Sequence, residues 1–386
     1  MKYTTIKLGM VGGGKDAFIG EVHRRAARVS GNINFCAGAL SSTPEKAKES
    51  GRFFGLDDSC NYGTWEEMLD KETKKSPDER IDAVSIVTPN HMHYPVAKAF
   101  GEAGIHIISD KPLVHTSTQA EDLCRITEAN GIVFAVTYNY TGYPLVKQAR
   151  SMVANGEIGK IRKVVVEYSQ GWLAKRLEQS GTKQAEWRTD PSRSGIAGAI
   201  GDIGTHAENL VATVTGLEIA ELSADVTTFV PGRMLDDDGN ILVRYSNGAK
   251  GVMIVSQISN GEENGIRLKV YGETGGLGWH QEEPNSLTVW KDDMPVQTYR
   301  RGNTYLDANT LRFTHTPAGH PEGFLEAFSS IYSEATRHIL ALKNGEVKDP
   351  KSNEFDYPTV YDGARGVRFI EKVIESSRTS QKWISF

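Results

Sequence analysis

A chain of 386 residues with 39% hydrophobic and 24% charged side chains is globular and too long for most single cores, so two domains are expected. Its net charge of -5 is spread without long runs of one sign, which points away from nucleic acid or an anionic membrane as the main partner. Cys36, Cys60 and Cys124 are odd in number and far apart, a pattern of reduced thiols rather than of a disulfide framework or a zinc site. The opening "MKYTTIKLGMVGGG" passes almost directly into a strand, leaving no room for a signal peptide, and no apolar run reaches transmembrane length; a cytoplasmic location is expected.

In chain order, "TIKLGMV" reads as a strand and "IGEVHRRAARVS" as a helix with Ile19, Val22, Ala26 and Val29 on one face. "INFCAGAL" is the next strand. "TPEKAKESGRFF" is helical, with Thr43 at the N-cap and Pro44 at the first helical position. "DAVSIVT" is a near-continuous apolar strand, as in a sheet covered on both faces. A helix at "YPVAKAFGEAG", the strand "IHIIS", a helix at "TQAEDLCRITEANG" and the strand "IVFAVT" follow. This rhythm implies a doubly wound parallel Rossmann sheet over residues 1–137. Beyond it, "YPLVKQARSMVANGEIG" is a bridging helix. The strands "KIRKVVVEYSQ", "AELSADVTTFV", "NILVRYS", "KGVMIVSQIS", "IRLKVYG" and "NSLTVWK" are separated by turn signals such as Asp238-Gly239 and Asn247-Gly248. Two helices, "GFLEAFSSIYSEATRHILALKNG" and "YDGARGVRFIEKVIESS", close the chain. Residues 138–386 thus read as an α+β domain on a large, mostly antiparallel open sheet.

"GMVGGGKDAFIGEVH" joins the first strand to the first helix. Glycine there permits positive φ and lets backbone N–H groups approach a pyrophosphate at the helix N-terminus. The residue ending the second strand usually reports on the cofactor through an acid for the ribose hydroxyl or an arginine for a 2′-phosphate. Ser41 and Ser42 stand there, so NAD and NADP both stay open, with the missing arginine leaning to NAD.

"GIAGAIGDIGTHAENL" places Gly195, Gly198, Gly201 and Gly204 at every third position, with Asp202 and His206 four apart. Glycines before the helix are expected to let substrate and nicotinamide approach the backbone. Oxidising a secondary alcohol sends a hydride to the nicotinamide and requires a base for the hydroxyl proton. His206 fits that task without large tuning. Asp202, one turn earlier, is placed to orient the imidazole. Lys111 follows a strand where a doubly wound sheet binds ligands, and its ammonium suits a developing alkoxide. Tyr138, Trp172, Trp187 and Arg188 suit a sugar site, with core packing equally open for each aromatic. His315, His320 and Glu322 lie in "FTHTPAGHPEGF", a candidate for the pocket wall or for a plain turn. His91 and His93 form an H-x-H, but no third ligand is evident and no metal is expected.

Thr88-Pro89-Asn90, His93, Asp110-Lys111-Pro112, "TYNYTGYP" and Gly201-Asp202-x-Gly204-x-His206, in this order, resemble the Gfo/Idh/MocA oxidoreductases over nearly the whole chain. "GGGKDAFIGEVHR" and "PAGHPEGFLEAF" resemble the branch with levoglucosan dehydrogenase and related sugar and inositol dehydrogenases. The resemblance implies Lys111, Asp202 and His206 as the catalytic set. It implies cofactor contacts from Gly12, Gly14, Phe18, Ile19, Ser41, Ser42, Thr88, Asn90, His93, Asp110, Lys111 and Asn139. Substrate contacts would come from Lys111, Tyr138, Arg188, Asp202, His206 and His320. The chain departs from the family at Asp110, where glutamate is usual, at Ser41, and at Asn209, where an acid is common. The implied activity is NAD(P)-dependent oxidation of a sugar, anhydrosugar or inositol, with an NAD-dependent glycosidase or a non-catalytic sugar sensor as alternatives. An open sheet left bare would expose apolar area, so a homodimer or homotetramer through it is expected.

Overall fold

The expected alternation becomes β1 (Ile6–Gly12), α1 (Phe18–Ser30), β2 (Ile33–Ala39), α2 (Pro44–Phe53), α3 (Trp65–Thr73), β3 (Ala83–Val87), α4 (His93–Glu102), β4 (His106–Ser109), α5 (Ser117–Asn130) and β5 (Phe134–Val136) in a computed structural model. The structure describes every residue except Met1, Lys348, Pro350 and Asn353. The five strands are all parallel in the order β2-β1-β3-β4-β5. β3 is buried at every position, as its unbroken apolar run requires.

Three local features differ from expectation. Helix α3 was not foreseen, although Thr64 accepts the Glu67 N–H at 3.2 Å while the Glu67 carboxylate reaches back to the Gly63 N–H at 2.8 Å. In α1, Val29 is exposed and His23 is buried instead. The ring is tolerated there because Nδ1 lies 2.8 Å from the Tyr332 hydroxyl and 3.2 Å from Ser85 Oγ. Thr43 does occupy the N-cap of α2 ahead of Pro44, but its side chain makes no capping bond.

The chain continues as α6 (Pro144–Ala154), β6 (Lys163–Ser169), α7 (Lys183–Arg188), α8 (Pro191–Ser194), α9 (Thr205–Thr215), β7 (Ile219–Thr227), β8 (Asp238–Tyr245), β9 (Lys250–Ser256), β10 (Gly265–Tyr271), β11 (Gly275–His280), β12 (Ser286–Lys291), β13 (Gln297–Arg300), α10 (Ala308–Leu311), α11 (Phe324–Lys343), α12 (Val360–Arg378) and β14 (Ile384–Ser385). Nine strands form one sheet in the order β13-β12-β11-β10-β6-β9-β8-β7-β14. Its neighbours pair antiparallel except β6 and β9, which run parallel. Asn247-Gly248 makes the β8–β9 turn, with Gly248 at φ +91°. Asp238-Gly239 is no turn: both lie inside β8, where a Cβ on Gly239 would stand 2.6 Å from Ile200 Cδ1. Glycine is there to seat Ile200. The unforeseen strand β11 is likewise glycine-rich for packing, since a Cβ on Gly278 would meet the Trp290 ring at 2.7 Å.

Contacts divide the chain into two compact units. One holds the N-terminal stretch to Val114, Thr118–Asn139 and Phe328–Ala364; the other holds His115–Ser117, Tyr140–Ala327 and Arg365–Phe386. Within the first, the Val136 N–H donates to the Pro358 carbonyl at 2.8 Å. In the second, one apolar face of the sheet packs on α6 and α9, with Leu145, Met152, Leu210, Val166, Leu268 and Met253 at its centre. Among the described residues no helix is long and apolar enough to cross a membrane.

His106 opens β4 and accepts the Val133 N–H on Nδ1 at 2.9 Å. Burial, only partly opposed by Asp82, lowers its pKa from 6.5 to about 4. A folded-state value below the unfolded one means that stability is complete above the unfolded value and is lost as pH falls through it toward about 4. We expect wild-type protein to lose up to about 3 kcal/mol over that window. Urea midpoints measured across it should fall less for His106→Asn, which keeps an acceptor but does not titrate.

Candidate active site

The first unit supplies a cradle at the β1–α1 loop. Gly12 and Gly13 have φ of +82° and +68°, values that disfavour any other residue. A Cβ on Gly20 would lie 2.4 Å from Gly13 Cα, and one on Gly14 would lie 2.5 Å from the Leu40 carbonyl. The loop therefore folds tightly onto the start of α1 and the end of β2, the geometry that offers N–H groups to a pyrophosphate. Phe18 is exposed, Ile19 and Ser41 are half-buried, and Ser42 is exposed. Past the ends of β3 and β5, Thr88 Oγ1 and Asn139 Nδ2 are buried with no hydrogen-bond partner among the described residues. Two orphaned polar atoms near the strand ends fit a polar ligand such as the nicotinamide end of a dinucleotide.

Lys111 follows β4 in a turn fixed from several sides, with a cis peptide to Pro112. Asp110 Oδ1 accepts the Thr137 hydroxyl at 2.9 Å and the Lys111 N–H at 3.1 Å, while Oδ2 lies 3.8 Å from His23 Nε2. Burial alone would raise the Asp110 carboxyl; His23 and the Lys111 charge overcome it and hold the group well below the usual carboxylate range. His93 is fully buried, with Nδ1 2.8 Å from the Pro112 carbonyl and Nε2 3.0 Å from the Thr88 carbonyl. Burial pushes its pKa down despite the neighbouring Asp110. His93 thus ties the Thr88 turn to the Lys111-Pro112 turn, while His91 is exposed. Asn90 and Tyr138 are buried in the same unit.

The second unit builds its cluster around one carboxylate. Asp202 Oδ2 accepts from Gln257 Nε2 at 2.9 Å and from Arg188 Nε at 3.2 Å. Gln257 Nε2 also faces Gln170 Oε1 at 3.3 Å, and Trp172 Nε1 donates to that oxygen at 3.0 Å. Gln170 Nε2 and the Tyr168 hydroxyl both donate to Asn264 Oδ1 at 2.7 Å, and Asn264 Nδ2 donates to the Tyr140 hydroxyl at 3.0 Å. His206, only 6% exposed, sets its ring edge-on to Tyr140 with centroids 4.8 Å apart and to Tyr168 at 6.2 Å. Burial raises the pKa of both tyrosines, and the Asp202 charge raises them further. Neither phenol is therefore a base near neutrality. The Arg188 guanidinium lies 4.2 Å from the Trp187 ring centroid and 6.0 Å from that of Trp172.

Of the expected substrate-side residues in this unit, Asp202, His206 and Arg188 share the cluster. His320 sits on a separate exposed turn whose carbonyl accepts from Arg301. Glu322, in the same stretch, is buried against Arg301, so this segment is a braced loop. The glycine run also differs from expectation. Residues Ile200–Gly204 form a π-helical turn continuous with α9, and Asp202 and His206 lie inside helical backbone rather than at an open helix mouth. A Cβ on Gly198 would stand 2.2 Å from the Asp236 carbonyl, so the close approach there is to the protein's own backbone. Sequence reasoning missed Gln170, Gln257, Asn264, Tyr140 and Tyr168. A signal for the two glutamines was present: the apolar runs of β6 and β9 each close on a serine followed directly by a glutamine, and in the structure Ser169 pairs with Ser256.

The dinucleotide cradle of the first unit and the Asp202 cluster of the second are, each by itself, what an NAD-binding oxidoreductase needs. The chain belongs to the GFO/IDH/MocA family: residues 6–138 match the oxidoreductase family with NAD-binding Rossmann fold, and residues 146–278 match the GFO/IDH/MocA C-terminal domain. It is 34% identical to an uncharacterised oxidoreductase of Bacillus subtilis, covering 99% of this chain and 97% of that one. It is 28% identical to levoglucosan dehydrogenase of Pseudarthrobacter phenanthrenivorans, over 98% of this chain and 97% of the relative. The crystal structure of an inositol dehydrogenase homologue from Azotobacter vinelandii complexed with NAD+ superposes with a TM-score of 0.95 at 34% identity, covering 99% and 98% of the two chains. The same homologue with NADH and myo-inositol gives 0.92.

Asn209, one turn beyond His206, is wholly buried, and neither end of its carboxamide meets a partner among the described residues. An unmet buried amide costs about 1–3 kcal/mol. Asn209→Leu, close in volume, should therefore melt at or above the wild-type temperature; a drop of several degrees in a thermal melt would reveal a buried water or other group satisfying the amide.

Proposed function

We propose that this protein oxidises a secondary hydroxyl of a neutral sugar, anhydrosugar or inositol. The observation that carries the reading is the Asp202 cluster: a carboxylate held by Gln257 and Arg188, with Gln170 and the Trp172 indole bonded on behind Gln257 and His206 set against Tyr140 one helical turn on. Such a surface suits a ring bearing many hydroxyls, with aromatic faces for its C–H side. Support comes from the relatives, one of them bound to NADH and myo-inositol and another a levoglucosan dehydrogenase.

In this reading His206 takes the hydroxyl proton and Asp202 holds the site's hydrogen-bonding pattern in register around it. The Lys111 ammonium stabilises negative charge on the same oxygen as the carbonyl forms. Asp110 and His93 keep the Lys111 turn in place, and Gly12, Gly14, Thr88 and Asn139 would hold the dinucleotide. When bound, that dinucleotide accepts the hydride, so the products are a ketone, the reduced cofactor and one proton. We assign cofactor binding to residues 1–137, with Asn139 just beyond them, and substrate binding and assembly to residues 138–386. The missing arginine at the end of β2, where Ser41 and Ser42 stand, together with the NAD+ complex of the homologue, favours NAD.

Incubation with NAD or NADP and a panel of inositols, levoglucosan and free sugars should give growth at the absorbance band of the reduced nicotinamide. Release of sugar from glycosides without that growth would instead mark a glycosidase. Lys111→Ala and His206→Ala should each lower turnover at least ~10²-fold while the cofactor still binds; near-normal rates in both would sink the assignment. The outer face of the nine-stranded sheet carries exposed Leu242 and Tyr271, and we assign it to contact between copies. Light scattering should return two or four chain masses; one chain mass removes that role.

A further inference from the structure

Asp236 and Asp237 lie between β7 and β8, outside the cluster, yet both are buried. Asp236 Oδ1 accepts the Gly198 N–H at 2.6 Å and Oδ2 accepts the Ile200 N–H at 2.8 Å. Its backbone carbonyl accepts the Ala199 N–H at 3.0 Å. Three successive amide groups at the head of the π-turn are thus taken by one residue distant in sequence. This is an N-cap supplied in trans: a carboxylate on the orphan donors where the helical backbone begins. The fit leaves no slack, because a Cβ on Gly198 would overlap the Asp236 carbonyl and one on Gly239 would displace Ile200.

Asp237 does the complementary task. Its carboxylate accepts from the Phe229 N–H at 2.8 Å, the Val230 N–H at 3.0 Å and Arg233 Nη1 at 3.2 Å, which closes the loop that presents the pair. Its backbone carbonyl accepts the Gln257 N–H at 2.9 Å. Adjacent residues therefore hold the two sides of one contact: Asp236 holds the turn that carries Asp202, and Asp237 holds the backbone of the glutamine that donates to Asp202.

We propose that the buried Asp236–Asp237 pair is the positioning element of the site, setting where Asp202 and Gln257 stand and with them the placement of His206 one turn on. The pair touches no reacting atom; it acts through the backbone of the π-turn and of the strand end. The inference rests on the oxidoreductase reading for its kinetic consequence but not for its geometric one.

The test compares wild type with Asp236→Asn, in which one oxygen becomes an NH2 that faces an N–H, and with Gly198→Ala, which presses on the same turn without removing the carboxylate. Asp225→Asn, an exposed acid on β7, is the control. We expect both site variants to lower kcat about 10- to 100-fold with KM changed by less than about threefold, as misplacement of reacting groups does. We also expect the ring titration of His206, followed by carbon-detected NMR and assigned with His206→Gln, to move by about half a pH unit or more. Unchanged kcat and an unchanged His206 midpoint in protein that merely melts earlier would reduce the pair to a scaffold and overturn the proposal. If wild type oxidises no polyol, the functional reading fails, while the His206 titration still decides the positioning role. If Asp236→Asn does not fold, Gly198→Ala carries both readouts.

Discussion

The parallel pairing of β6 with β9 is the constraint on which the second unit's chemistry depends. Every other neighbour in that sheet is antiparallel. With Ser169 opposite Ser256, the two strands run out of the sheet at the same edge, and Gln170 and Gln257 leave it side by side. An antiparallel register would have sent them to opposite ends. Their amides then meet, one bridging to Asp202 and the other to Asn264 and the buried tyrosines. A sheet edge, a π-turn and the helix that follows are knitted by neutral donors around a single carboxylate.

The Lys111 turn in the first unit follows a similar logic with different parts. Asp110 is one methylene shorter than the glutamate usual in the family, and the surrounding groups close on it. Thr137 comes from beyond β5, His23 from α1, and the backbone N–H from Lys111 itself. His23 is in turn held by Ser85 on β3 and Tyr332 on α11. Burying a carboxylate is costly unless charges and hydrogen bonds compensate it, and here they do so strongly enough to keep it ionised.

How much of this could be read from the amino-acid string depended on range. Period-two and unbroken apolar runs gave all five parallel strands, because those patterns record local burial. Thr64 and Glu67 mark the start of α3 in the same local language. β11 was hidden because its glycines report on the Trp290 ring across the sheet, not on their own strand. Gly239 misled for the same reason: beside Asp238 it resembles a turn, yet it is shaped by Ile200. Asp202 and His206 were visible through their spacing of four. Asn264, Tyr140 and Tyr168 were not, since a hydrogen bond between residues about a hundred positions apart leaves no trace in either neighbourhood.

Tyr332 and Pro358 have a practical bearing that reaches past catalysis. Both belong to the first unit though they lie far along the chain, one bonding His23 and Ser85, the other accepting the N–H of β5. A gene cut after the last strand of the Rossmann sheet would encode a fragment whose buried imidazole has lost a hydroxyl and whose final strand has lost a carbonyl. Anyone grafting this nucleotide-binding half onto another scaffold, or exchanging it to alter cofactor choice, must carry Phe328–Ala364 along as a second, separately spliced piece.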